Sequence, residues 1–351
     1  MKLCRHFGTC GGCAHQDMAA ADYRAFKRRL VTDALARHGV EVPVEESVEV
    51  PPRSRRRAVV KLVKNGAVAI GFHALRTHTI VDMRECLVLS PELFAAVQSL
   101  RAIADALLPE AGHGEVHATL ADNGLDLSFR ASVPLTPART AALAKAAAQL
   151  GAIRILWNGA LAFECATPAV RFGKAEVALP PDSFLQPTRE GEAALRERVL
   201  ETLGGAKEAA DLFAGCGTFA LALAERARVH AVERDSAMLE ALAAAARATR
   251  GLKPVTVEKR DLDKRPLSPA ELARFDAVAL DPPRTGALAQ SRTLAASKIA
   301  RIAYVSCDAP SFARDAAVLI AGGFRLTRVL PVDQFLWSGH IELVASFERG
   351  R

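Results

Sequence analysis

The chain has 351 residues, a net charge of +7 from 46 Lys and Arg against 39 Asp and Glu, and a hydrophobic content of one half. That length suits two domains better than one core, and the balance of apolar and charged residues excludes disordered and fibrous classes. Seven cysteines are too few for a disulfide framework, yet Cys4, Cys10 and Cys13 crowd into the first thirteen positions.

The opening run MKLCRHFGTCGGCAHQDM has no apolar signal-peptide core, and no stretch reaches the roughly 20 apolar residues of a membrane span. A cytoplasmic protein with reduced thiols is expected. Closely spaced reduced cysteines are more often ligands or catalysts than bridge partners. A helix is expected over residues 20–38, with the aromatic and basic residues of Tyr23–Arg29 on a solvated face. Four arginines between Arg53 and Arg57 precede the strand AVVKLV and read as phosphate contacts. The β-rich stretch RAVVKLVKNGAVAIGFHALRTHTIVD turns at Asn65-Gly66. Two Ala-rich helices and the strands EVHATLA and LDLSFRA occupy residues 91–150, and Leu179-Pro180-Pro181-Asp182 reads as a linker.

From about residue 210 strands and helices alternate. EAADLF, VHAVE, VTVEK, FDAVALD and IAYVSC read as strands; TFALALAERA, SAMLEALAAAARAT and SFARDAAVLIAGG read as helices. This order implies an α/β fold, a parallel sheet with helices on both faces. RLTRVLPVD and IELVASFER close the chain as an antiparallel hairpin. A terminal hairpin is the pattern of a Rossmann-like class I S-adenosylmethionine (SAM)-dependent methyltransferase sheet rather than a dehydrogenase.

The run Asp211-Leu212-Phe213-Ala214-Gly215-Cys216-Gly217-Thr218-Phe219 places a Gly-x-Gly turn between a strand and a helix. Glycines there allow close backbone approach to a ligand, and a helix N-terminus offers free N–H groups. Glu233 ends the next strand, where an acid can hold both ribose hydroxyls of a nucleoside. Asp261 follows the third strand and can accept from an adenine amine. Asp281 ends the fourth. Acids at three successive strand ends point to a nucleoside cofactor. Ala220 at the third glycine position and the terminal hairpin disfavour NAD.

Cys307 stands at the tip of IAYVSC, beside that crevice, where a thiol is poised for chemistry rather than packing. A thiolate is a strong nucleophile once its pKa of about 8.5 is lowered by its surroundings. Thiolate addition at C6 of a pyrimidine makes C5 nucleophilic enough to take a methyl group. A base must then remove the C5 proton, and Glu342 in Ser338-Gly339-His340-Ile341-Glu342 is the candidate.

Cys4, Cys10 and Cys13 together with the distant Cys86 make a possible four-sulfur site. Zinc and a [4Fe–4S] cluster both suit four thiolates, and the spacing alone leaves both open. Cys165 reads as a core or strand residue, and Cys216 as a small residue in the glycine turn.

DLFAGCGTF, DPPRTGA, YVSCDAPSFARD and GHIE together resemble the RNA uracil-C5 methyltransferase family, over nearly the whole chain. The similarity is closest to its iron–sulfur-containing 23S ribosomal RNA branch. The resemblance implies Cys307 as nucleophile, Glu342 as base and SAM as cofactor. Gln186, Phe213, Glu233, Asp261 and Asp281 match cofactor contacts of the family, with Gly215, Gly217 and Thr218 in the turn; Thr218 departs from a frequent asparagine. It also implies a [4Fe–4S] cluster on Cys4, Cys10, Cys13 and Cys86. The expected division is residues 1–90 for cluster and RNA contact, 91–185 as a central α+β part, and 186–351 as the methyltransferase domain. The extra β-barrel with which many family members begin is expected to be absent. The expected partner is RNA, 23S rRNA first, acting on a monomer without a membrane. A tRNA uridine methyltransferase and a catalytically idle iron–sulfur RNA-binding protein are the rival readings.

Overall fold

The computed structural model describes residues 3–350; residues 1, 2 and 351, at the ends of the expected 1–90 and 186–351 segments, lie outside the described residues. Regular structure begins with helix α1 (Ala20–Ala36) and the short strand β1 (Val48–Glu49). Strands β2 (Arg57–Asn65) and β3 (Ala67–Gly71) form the expected hairpin, turned by Gly66 at a φ of 67°, which glycine adopts without steric cost. Helix α2 (Pro91–Leu107), strands β4 (His113–Leu120) and β5 (Leu125–Ala131), helix α3 (Pro137–Leu150) and strands β6 (Ala152–Trp157) and β7 (Ala160–Glu164) follow. They complete a six-stranded sheet of order β3-β2-β4-β5-β6-β7. Alternate residues such as Val60, Leu62, Val116, Leu127 and Phe129 bury one face of it against Leu93, Val97, Leu143 and Ala147 of the two helices. Ser90 and Thr136 cap those helices by accepting from the N–H groups of Leu93 and Arg139, each ahead of a proline that suits a first helical turn.

A small hairpin, β8 (Ala169–Phe172) with β9 (Ala175–Ala178), leads to helix α4 (Arg189–Thr202). Strands and helices then alternate: β10 (Glu208–Leu212), α5 (Ala220–Leu223), β11 (Arg228–Glu233), α6 (Ser236–Ala248), β12 (Val255–Lys259) and α7 (Pro269–Leu272). The alternation continues with β13 (Ala277–Leu280), α8 (Leu288–Ala295), β14 (Arg301–Ser306) and α9 (Ala309–Ala321). Strands β15 (Phe324–Asp333) and β16 (Glu342–Arg349) end the fold with no helix between them. The sheet order is β1-β15-β16-β14-β13-β10-β11-β12. The run from β14 to β12 is parallel, and β16 is antiparallel to both β14 and β15. The closing pair is therefore not appended to an edge. Strand β16 is inserted, so that Ser306 pairs with Leu343 and Val332 with Glu342.

Three local expectations change. The helix after the glycine turn is one turn long, because positive φ at Phe213, Gly215 and Gly217 (61°, 54° and 98°) spends residues 213–219 in turns. Helix α1 exposes Arg24, Arg28 and Arg29 as expected, but Tyr23 and Lys27 are buried, because α1 packs on α9 and on the segment after β15. Of the arginines at 53–57, Arg56 is buried, giving Nη2 to Glu192 at 2.5 Å and Nε to the Gln186 carbonyl at 3.1 Å. Its charge serves the fold, not a phosphate.

Another buried arginine clamps the linker. Arg154 grips both oxygens of Asp126 at 2.9 and 2.6 Å and donates to the carbonyls of Leu179 and Pro180 at 2.8 and 3.3 Å. Removing one partner of a buried pair strands the other charge. Arg154→Met is expected to lower the free energy of unfolding by about 3 kcal/mol, read from equilibrium denaturation; an unchanged transition would refute the clamp.

Candidate active site

The carboxyl ends of the parallel strands meet the start of β16 at one place. Cys307 follows Ser306 at the end of β14, and the Ser306–Leu343 pairing brings it opposite Glu342. Asp281 follows β13 and donates its N–H to the Leu212 carbonyl of β10 at 3.2 Å. Helix α9 starts directly after the thiol, and Asp308 caps it by accepting from the Ser311 N–H at 3.0 Å.

A chain of hydrogen bonds joins the two acids. Gln186 donates from Nε2 to Asp281 Oδ2 at 3.2 Å. Gln334 donates from its own Nε2 to Gln186 Oε1 at 2.8 Å and to Glu342 Oε2 at 3.1 Å. Gln186, Gln334 and Glu342 are each at most 3 % exposed. Gly191 of α4 makes room: a Cβ there would stand 2.5 Å from Gln334 Oε1. Gln334 carries no sequence signal beyond following a strand, and the sequence analysis missed it.

Burial pushes Glu342 well above the carboxylate range, and the Asp281 charge adds to that. Burial likewise lifts Asp281 to about 7, against the Gln186 hydrogen bond. The half-buried Cys307 thiol is not lowered, as the sequence led us to expect, but pushed up to about 12. Burial is the first cause; the Glu342 and Asp281 charges add to it, and Arg284 opposes it. Arg284 lies 3.9 Å from Asp308 and is more exposed than the acids, so its charge is the weaker influence.

The glycine turn sits at the same edge. Glu233, at the end of β11, accepts from the N–H groups of Gly215 at 3.1 Å, Arg234 at 2.6 Å and Asp235 at 3.0 Å. The Arg260 N–H donates to the Glu233 carbonyl at 2.9 Å, which draws the end of β12 alongside. Asp261 accepts there from the N–H groups of Asp263 and Lys264. Phe213 and Thr218 are half-buried at the two ends of the turn. A Cβ on Gly215 would meet nothing within 4 Å, whereas one on Gly217 would strike Leu242 at 2.8 Å. Beneath the turn Asp211 is fully buried, and burial drives its pKa well up, against a hydrogen bond from the Ala220 backbone.

The N-terminal thiols gather elsewhere. Cys4, Cys10, Cys13 and Cys86 all line one cavity of about 630 Å³, walled on one side by Phe335, Leu336, Ser338 and His340. Among the described residues, no three His, Cys, Asp or Glu side chains are grouped so as to hold a metal ion. The expected metal centre is thus not assembled as a ligand set. Burial raises the Cys4 and Cys86 thiols and takes Cys13 to about 12, because a thiolate loses its hydration in that cavity. Arg55 lines the same cavity, and its buried Nε has no hydrogen-bond partner. Cys165 is exposed just past β7 rather than in a strand or core, while Cys216 is buried in the turn.

Residues 173–349 match the tRNA (Uracil-5-)-methyltransferase family. A Brucella suis protein named only as an uncharacterized RNA methyltransferase is 44% identical over 349 residues, 99% of this chain and 84% of its own. The 23S rRNA (uracil(1939)-C(5))-methyltransferase RlmD of Halomonas elongata is 32% identical over 372 residues, 98% of this chain and 76% of its own. This chain belongs to the RNA (uracil-5-)-methyltransferase family. It is a SAM-dependent enzyme acting on RNA. The crystal structure of Pyrococcus abyssi tRNA (uracil-54, C5)-methyltransferase in complex with S-adenosyl-L-homocysteine covers 99% of this methyltransferase and 87% of itself, at a TM-score of 0.77. At 22% identity that likeness shows the fold. Among the described residues of this methyltransferase, no helix is long and apolar enough to cross a membrane.

A thiol raised to about 12 is alkylated through its small thiolate fraction. Iodoacetamide labelling of Cys307, followed by peptide mass spectrometry, should still be rising about tenfold per pH unit at pH 9. Glu342→Gln removes a negative neighbour and should move the profile to lower pH, with exposed Cys165 as the reference site. A plateau below pH 9 would contradict this environment.

Proposed function

We propose that this protein methylates C5 of a uridine in 23S ribosomal RNA, with Cys307 as nucleophile and Glu342 as base. The observation that carries the reading is the convergence of Cys307, Glu342 and Asp281 at one sheet edge, with the two acids linked through Gln186 and Gln334. A carboxylate kept basic by burial is suited to taking a carbon-bound proton.

Cys307 gives its proton to solvent and forms a bond to C6, which moves the ring electrons toward O4 and makes C5 nucleophilic. C5 then forms a bond to the incoming methyl group. Glu342 takes the C5 proton, the C5–C6 double bond re-forms, and the Cys307–C6 bond breaks to return the thiolate. SAM, when bound, would supply the electrophilic methyl, with the sulfonium S–CH3 bond breaking and S-adenosylhomocysteine as the leaving group. The chain fits it in the open space above Gly215, where an added Cβ would meet nothing within 4 Å. Glu233 would hold the ribose hydroxyls and Asp261 the adenine amine, with Phe213, Gly217 and Thr218 in the turn, and Gln186 and Asp281, joined by a hydrogen bond, would complete the cofactor contacts.

Cys307 can reach C6 only if the uridine leaves its stack. Phe184, 56% exposed, stands two residues before Gln186 with the Arg57 guanidinium 4.9 Å from its ring centre. Such a face suits an unstacked base. The choice of 23S rRNA is supported by the RlmD relative across nearly the whole chain.

The thiol cavity fits a [4Fe–4S] cluster by its donor set and by the half-buried Arg55 guanidinium, whose Nε has no hydrogen-bond partner there. Cys4, Cys10, Cys13 and Cys86 would hold it, and its contribution would be to tie residues 4–13 to the segment around Cys86. A single zinc ion fits less well, because its thiolates stand at about 2.3 Å from one point.

Incubating the protein with SAM and 5-fluorouridine RNA should give a covalent complex, since fluorine cannot leave as a proton. Cys307→Ala should give none, and Glu342→Gln should accumulate a methylated adduct on ordinary uridine. An undiminished adduct in Cys307→Ala would falsify the mechanism, and 5-methyluridine lost from tRNA rather than 23S rRNA in a deletion strain would redirect the substrate. Anaerobically purified protein should be brown, with about four irons per chain; a colourless zinc-loaded preparation would overturn the cluster.

A further inference from the structure

Lys27 of α1 is fully buried and lies far in sequence from every group in the mechanism above. Its ammonium donates to the Phe335 carbonyl at 3.1 Å and the His340 carbonyl at 2.6 Å, and it forms an ion pair with Asp333 Oδ1 at 2.8 Å. Asp333 ends β15, and Phe335 and His340 belong to the segment that joins it to β16. Asp333 and Phe335 flank Gln334, which donates to Glu342; His340 stands two residues before Glu342 itself. One side chain thus fixes both ends of the loop on which the Gln334–Glu342 hydrogen bond depends. Tyr23, one helical turn earlier on α1, reinforces the clamp. Its hydroxyl donates to Asp333 Oδ2 at 2.6 Å and accepts from the Trp337 N–H at 2.6 Å.

We propose that Lys27 is a positioning residue for proton removal from C5: by drawing Asp333, Phe335 and His340 onto one ammonium, it holds Gln334 and Glu342 where the carboxylate meets the C5 proton. The inference rests on the assignment of Glu342 as the base. It places the consequence of losing Lys27 late in the reaction. Cys307 addition and methyl transfer depend on β13, β14 and the glycine turn, which Lys27 does not touch. Release of the methylated product depends on Glu342, and Glu342 depends on the loop.

The test uses the full-length protein, a 23S rRNA fragment containing ordinary uridine, and SAM carrying a labelled methyl group. Lys27→Met should lower kcat about tenfold or more with the KM for SAM changed less than twofold. It should also raise the fraction of protein carrying methyl-labelled RNA on a denaturing gel above the wild-type level. A lone Lys27→Met strands the Asp333 charge, so Lys27→Met/Asp333→Leu, which removes both charges, is measured beside it. The double variant should melt near the wild-type temperature and still accumulate the labelled adduct. Glu342→Gln distinguishes the two levels of the argument. If it accumulates adduct and both Lys27 variants turn over without adduct, the positioning role is overturned while the base stands. If Glu342→Gln itself turns over freely, the base assignment fails and the positioning role with it.

Discussion

Two carboxyl groups, Asp281 and Glu342, are held out of water beside one thiol, and they are linked through neutral amides rather than cations. An arginine in place of Gln334 would hold Glu342 ionised but weakly basic; an amide satisfies the carboxyl and leaves its affinity for protons high. The cost is visible at Cys307, whose thiol is pushed up by burial and, after it, by the same charges. A protein that only bound RNA would gain nothing from burying two acids against each other.

That arrangement depends on strand direction. Parallel strands β10, β13 and β14 deliver Leu212, Asp281 and Cys307 at their carboxyl ends. A further parallel strand would have brought its last residue to that edge. Antiparallel β16 brings its first residue, Glu342, and its insertion between β14 and β15 sets Glu342 opposite Cys307. The loop before it must then begin and end near the active site, and its residues become available to line a second cavity.

The N-terminal segment uses that availability. Helix α1 packs on α9, β1 pairs in parallel with β15, and the Trp337 carbonyl accepts from the N–H groups of Ala14 and His15. The cysteine-bearing segment and α1 therefore grip the 334–341 loop from two sides. The thiol cavity and the proposed base share the residues between Gln334 and Glu342, so changes in one have a direct covalent route to the other.

Much of this was legible in the sequence. Alternating apolar runs and Ala-rich helices set out the strands and helices, because period and turn chemistry are local properties. The glycine turn, the acids at strand ends and Cys307 at a strand tip were legible for the same reason: each is a residue type at a fixed offset from an element. What the sequence could not carry were relations between distant segments. Gln334 has a role only because β16 folds back beside β14. Lys27 looks like a solvated basic residue and Arg56 like a phosphate contact until Asp333 and Glu192 arrive from elsewhere in the chain. The Cys307 environment also depended on which charges came close, and burial beside two acids outweighed one exposed arginine. The sequence by itself determined the elements and the reactive groups, since those follow from neighbours along the chain. The tertiary structure alone decided protonation, hydrogen-bond partners and which basic residues are buried, since those follow from charge and solvent at a distance.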